Sequence, residues 1–149
     1  MRVAIGADHA GFELKEELRS FVREAGHAVI DLGTDSTESV DYPDYAAAVG
    51  RAVVAGRADR GLVVCGSGAG AAIAANKLDG VRCAQANETY TAHQAVEHDD
   101  ANVLALAARV IGPALAREIT GSFLAAVFVP TERYLRRLEK VKVLEQERR

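Results

Sequence analysis

Short runs of β-branched and aliphatic residues alternate with longer segments of helical period along the whole chain, and this alternation restricts the fold more than any other feature. Strands separated by helices re-enter a sheet in the same direction, so the pattern predicts a parallel sheet covered on both faces. We read strands over residues 2–6, 28–31, 60–65, 81–84 and 103–106. After the first strand, Leu14, Leu18, Phe21, Val22 and Ala25 recur at i, i+4, i+7, i+8 and i+11, one apolar stripe that must lie against the sheet. Gly26 then stands where a helix-ending glycine is expected. Further helices are expected over 43–55, 70–77, 88–97, 113–126 and from 131 to the C-terminus. No repeat, linker or low-complexity tract interrupts the 149 residues. The expectation is one domain, 1–149, an α/β three-layer sandwich around a five-stranded parallel Rossmann-like sheet with a C-terminal helical arm.

Composition removes several classes of function. Lys and Arg number 18 against 21 Asp and Glu, a net charge of −3, where a nucleic-acid surface shows as a basic face. An aromatic content of 5% without Trp offers no platform for stacking bases. No apolar run approaches the ~18 residues of a membrane span. Two cysteines and no charged-then-apolar leader after Met1 lead us to expect a reducing cytoplasm. No pair of residues has the H-x₃-H or C-x₂-C spacing of a metal site, so neither metal nor cofactor is expected. A small phosphorylated ligand stays open, because one local group of arginines suffices for it.

In an open parallel sheet, ligands sit beyond the carboxyl ends of the strands where the strand order reverses. That directs attention to Gly6-Ala7-Asp8-His9-Ala10-Gly11, to Cys65-Gly66-Ser67-Gly68-Ala69-Gly70, to Gln85-Ala86-Asn87, and to Glu97-His98-Asp99-Asp100 near the fifth strand. The Cys65 hexapeptide carries the most chemistry. A strand that ends in glycines and restarts as a helix turns several N–H groups toward one point, which favours an anion and would stabilise a thiolate. The plain alternative is a tight βα turn. A G-x-G-x-x-A dinucleotide fingerprint also reads through Gly66, Gly68 and Ala71, but that fingerprint follows the first strand, and no Gly-Lys-Ser/Thr completes a Walker loop. Asp8 can simply cap the next helix, or His9 can share a crevice with Cys65 and bind an anion. His98 reads as a solvent-exposed helix end, His27 and His93 as surface, Cys83 as core. Arg133 and Arg137, at i and i+4, either belong to the solvated face of the last helix or grip a phosphate together.

Taken jointly, the loops at Gly6 and Cys65, together with Asp31-Leu32-Gly33-Thr34, Asp41-Tyr42-Pro43, Ala74-Ala75-Asn76-Lys77 and Ala101-Asn102-Val103-Leu104, resemble the type B ribose-5-phosphate isomerases. The resemblance runs over nearly the whole chain with the expected spacings. It implies an aldose–ketose isomerase that interconverts ribose 5-phosphate and ribulose 5-phosphate without a metal. It further implies a homodimer with active sites between subunits, and leaves a tetramer open. By the resemblance Cys65 is the base, Ser67 assists at the sugar oxygens, and the backbone of Gly66, Gly68, Ala69 and Gly70 forms the enediolate hole. His98 opens the furanose ring, while Asp8, Asp41 and Tyr42 line the sugar. His9, Arg109, Arg133 and Arg137 match phosphate contacts, some of them from the partner subunit. One position departs from the family: Asp99 stands where asparagine is usual, so an amide donor is lost and a charge added near the substrate. The alternatives are an isomerase of a six-carbon sugar phosphate, such as allose 6-phosphate or galactose 6-phosphate, a non-catalytic nucleotide-binding module, and an inactive structural paralogue.

Overall fold

The computed structural model describes residues 1–147. In chain order the elements are β1 (Arg2–Ala7), α1 (Phe12–Glu24), β2 (Ala28–Asp31), α2 (Tyr42–Val54), β3 (Arg60–Cys65), α3 (Ala69–Ala75), β4 (Cys83–Gln85), α4 (Thr89–Asp99), β5 (Val103–Ala107), α5 (Pro113–Ala125) and α6 (Glu132–Gln146). All strand pairings are parallel, in the order β2-β1-β3-β5-β4. Successive residues of a strand face opposite sides of the sheet, and the core divides accordingly. Val3, Ile5, Leu62, Val64, Leu104 and Leu106 meet the apolar stripes of α1, α4 and α5. On the other face Ala4, Val63, Cys65, Val103 and Ala105 meet α2 and α3, whose buried residues are alanine, Gly50 and Val49, so these helices lie close to the sheet.

The division of helices between the faces follows from handedness. Crossovers between parallel strands are right-handed, so connections running opposite ways along a sheet must use opposite faces. α1 and α4 carry the chain one way, from β1 to β2 and from β4 to β5; α2 and α3 carry it the other way. The chain therefore leaves β1 and β3, which are neighbours, in opposite directions. A crevice opens between their carboxyl ends.

Three boundaries inside the chain differ by two residues from those expected, and several others by one. The fourth strand begins at Cys83 rather than residue 81, because the Asn102 side chain accepts from Arg82 N at 2.8 Å and donates to the Gly80 carbonyl at 2.8 Å, replacing the ladder there. α3 closes at Ala75 through tight bonds from Lys77 N to Ala74 O and Leu78 N to Ala75 O. α4 runs on to Asp99, and Asp100 ends it with a φ of 49°, a left-handed conformation that Asp tolerates better than most residues. Fully buried Lys15 of α1 pairs with Asp31 at 2.8 Å, and Asp31 also accepts from Gly33 N at 3.0 Å, fixing the turn that follows β2. α6 is capped by Thr131, whose hydroxyl accepts from Tyr134 N at 3.3 Å, and buries none of its residues. No helix among the described residues is long and apolar enough to cross a membrane.

Candidate active site

The crevice is assembled from backbone before any side chain enters it. Asp8 N–H donates to the Val64 carbonyl at 3.2 Å, and the Asp8 carboxylate accepts from Gly11 N at 3.0 Å. Asp8 thus closes the turn that leads into α1, while its buried side chain still lines the cleft. Gly11 packs so tightly on β3 that any Cβ there would collide with the Val64 carbonyl, which locks the first loop against the end of the third strand. His9 Nδ1 lies 3.2 Å from both N and O of Val40, and its Nε2 has no partner among the described residues.

Cys65 ends β3 with 4% of its surface exposed, and Gly68 N–H donates to its Sγ at 3.2 Å. Gly68 has a φ of 78°, the left-handed region that glycine enters without strain, and this turns the loop back over the sulfur before α3 begins at Ala69. Ser67 is exposed, its Oγ accepting from Ala69 N at 3.3 Å. The Tyr42 ring lies against Gly70, where a Cβ would come within 2.8 Å of it. Arg109 N–H donates to the Gly66 carbonyl at 2.9 Å and its side chain folds over Gly66. Its guanidinium has no ion-pair partner among the described residues. The resulting cleft, about 370 Å³, is bordered by Asp8, His9, Tyr42, Cys65, Ser67 and Arg109, room enough for one small ligand. Asp41, the residue preceding α2, is exposed beside Tyr42.

The remaining expected residues are elsewhere. His98 belongs to the last turn of α4, half-buried and stacked on Tyr134 of α6 with ring centroids 4.3 Å apart and planes at 20°. Asp99 and Arg137 border a second, larger groove of about 870 Å³, together with Val81, Leu138, Val141 and Leu144. Arg133 and Arg137 are exposed on α6. The expectation that Glu97-His98-Asp99-Asp100 joins the loops at the carboxyl ends of the strands is thereby corrected. A helix between parallel strands runs antiparallel to them, so residues just before β5 lie at its amino end, across the sheet from Cys65. Cys83 is half-buried and packs on the α2–α3 side of the core; burial, and then the neighbouring Cys65, push its thiol up to about 12, away from thiolate. Among the described residues no three His, Cys, Asp or Glu side chains gather as metal ligands would.

A thiol, a hydroxyl and an unpaired guanidinium at the switch point of a doubly wound sheet are the furnishings of an enzyme that handles small anionic substrates. The family model described as Ribose/Galactose Isomerase matches residues 3–141, and the chain belongs to that family. It is 43% identical to ribose-5-phosphate isomerase B of Escherichia coli, over 99% of this chain and 98% of that protein. It is also 43% identical to D-erythrulose-4-phosphate isomerase of Pectobacterium atrosepticum, over 86% of this chain and 85% of the other. The structure of Clostridium thermocellum ribose-5-phosphate isomerase B superposes with a TM-score of 0.98 at 44% identity, each chain covered in full. The protein is accordingly a sugar-phosphate isomerase, an intramolecular oxidoreductase.

Proposed function

We propose that this chain interconverts ribose 5-phosphate and ribulose 5-phosphate in the cytoplasm, as a homodimer whose active sites each draw on both subunits. The observation that carries the reading is the Cys65 sulfur, held 3.2 Å from the Gly68 N–H at the edge of a cleft that also contains unpaired Arg109. A hydrogen bond to an ionised sulfur is stronger than one to a thiol, and the Gly68 N–H is the donor that faces this sulfur. The thiolate takes the proton from C2 of the open-chain aldose, and the electron pair moves through C1 onto O1. The resulting enediolate is stabilised by the amides of the Gly66–Gly70 loop more than the substrate is. The Cys65 thiol then returns the proton to C1. Ser67 carries the hydroxyl proton from O2 to O1, and the thiolate is regenerated with no oxidant consumed.

His98 supplies ring opening by moving a proton onto the ring oxygen, and Arg133 and Arg137 hold the phosphate. Their distance from Cys65 in one chain supports a site completed by a second copy. The exposed apolar residues of α6 and Ile73 of α3, 62% exposed beside the Cys65 loop, support the same pairing. Cys65→Ser decides the reading: turnover should fall about 10²- to 10⁴-fold while calorimetry still detects sugar-phosphate binding. Undiminished turnover in that variant removes Cys65 as the base. The likeness to an erythrulose-4-phosphate isomerase favours a second reading, a four-carbon substrate. Comparing kcat/KM on four-, five- and six-carbon sugar phosphates separates it, and the six-carbon alternative, from the first.

A further inference from the structure

The peptide unit between Ser67 and Gly68 is held at both ends. Its N–H donates to Cys65 Sγ at 3.2 Å, and its carbonyl accepts from Gln85 Nε2 at 2.6 Å. A trans peptide is planar, with N–H and C=O on opposite sides, so fixing the direction of the oxygen fixes that of the hydrogen. Only the nitrogen of a glutamine amide can donate to a carbonyl, which leaves Gln85 one useful orientation. Gln85 is the last residue of the edge strand β4 and reaches Ser67 across β5, where its ladder neighbour is Ala105. A methyl group is all that Ala105 raises beneath that path. Gly68 completes the fit: a Cβ on it would lie 3.0 Å from Gln85 Nε2. A larger residue at either Ala105 or Gly68 would crowd the amide off the carbonyl.

We propose that Gln85 is a positioning residue for the thiol base, aiming the Gly68 N–H at the Cys65 sulfur and so setting how strongly that sulfur is held as thiolate. The inference rests on Cys65 acting as the base. Gln85 itself touches no reacting atom. Its loss acts through the peptide, which becomes free to rotate its N–H away from the sulfur and away from the enediolate. The effect belongs in kcat, while phosphate contacts, and with them KM, are untouched.

The test uses Gln85→Met, which keeps the length and shape of the side chain without the donor, and Gln85→Glu, whose carboxylate faces the Ser67 carbonyl with an oxygen. Thermal unfolding is recorded for both, and the folded enzyme is assayed across pH. In Gln85→Met kcat should fall about tenfold at neutral pH with KM within about twofold of the parent, and Gln85→Glu should fall further. The acidic limb of the kcat/KM profile should move to higher pH. So should the midpoint for Cys65 alkylation by iodoacetamide, followed by peptide mass. A purely structural role would alter the unfolding temperature and leave both midpoints in place. Parent-like kcat and midpoints in both variants overturn the inference. If that happens while Cys65→Ser is inactive, only the role of Gln85 falls; if Cys65→Ser turns over normally, the base and its positioning residue fall together.

Discussion

The cleft at the ends of β1 and β3 and the groove between α4 and α6 are built by opposite means. In the first, main-chain contacts set the geometry: Asp8 N to Val64 O, Gly11 against the Val64 carbonyl, Gly68 N to Cys65 Sγ, Arg109 N to Gly66 O. In the second, long side chains stand on helices, and α6 buries none of its own residues. Work on a C–H bond needs groups fixed to fractions of an ångström, which strands and tight loops supply. Holding a phosphate tolerates more latitude, and in the proposed function Arg133 and Arg137, exposed on a helix, do so once another surface orders them. On the proposed reading the first region moves the proton at carbon and the second supplies ring opening and part of the phosphate grip, a division that can be broken by variants that strike one region at a time.

The largest effect is expected from His98→Asn. Turnover of five-carbon substrates, which close into a ring, should drop about 10²- to 10⁴-fold. A four-carbon aldose 4-phosphate has no free hydroxyl at C4 with which to close a five-membered ring, so its turnover should survive. Equal losses on both substrates would erase the division of labour between the two regions. Next in size is Asp31→Asn, which leaves the buried ammonium of Lys15 with Glu16, at 3.1 Å, as its one carboxylate partner among the described residues. A loss of about 3 kcal/mol in urea unfolding is expected. Unchanged stability would mean that the pair does not support the turn behind Asp8.

The same carboxylate gives a pH signature. Burial pushes the Asp31 carboxyl up, but hydrogen bonds from Lys15 and Gly33 and the charges of Lys15 and Arg19 together outweigh it, and the net direction is down. A group whose folded value lies below its unfolded value contributes stability that is fully present above about pH 4 and is lost as pH falls through the folded value. Unfolding midpoints should therefore decline below that pH, and decline less in Asp31→Asn. Arg137→Ala should raise KM about tenfold with kcat nearly unchanged, as expected for a charged hydrogen bond lost from ground and transition state alike. A fall in kcat instead would move Arg137 from binding to chemistry. The smallest change is expected from Tyr134→Ala, about 1 kcal/mol for the stacking partner of His98, read from thermal unfolding.

Legibility in the sequence followed the range of the interaction. β2 and β3 match their expected spans, and α1 follows the stripe from Leu14 to Val22, because periodicity is a local signal that burial then enforces. The start of β4 was hidden, since it depends on the Asn102 side chain capturing Arg82 N from 20 residues away. The position of His98 differs for another reason: Glu97-His98-Asp99-Asp100 are close to β5 in sequence, but a segment that precedes a strand lies at its amino end. In the sequence Gln85 reads only as part of a polar loop. Its bond to Ser67 exists because β5 inserts between β3 and β4, and no pattern of spacing announces a strand order.

The antiparallel run of α4, which carries His98 to the far rim of its own subunit, has a genetic corollary in the proposed dimer. A Cys65→Ser chain keeps a sound histidine to lend, and a His98→Asn chain keeps a sound thiol. When the two are unfolded together and refolded as a mixture, the hybrids contain one doubly crippled catalytic centre and one wholly intact. Two dead proteins would then complement each other in the test tube, which chains carrying complete centres of their own could not do.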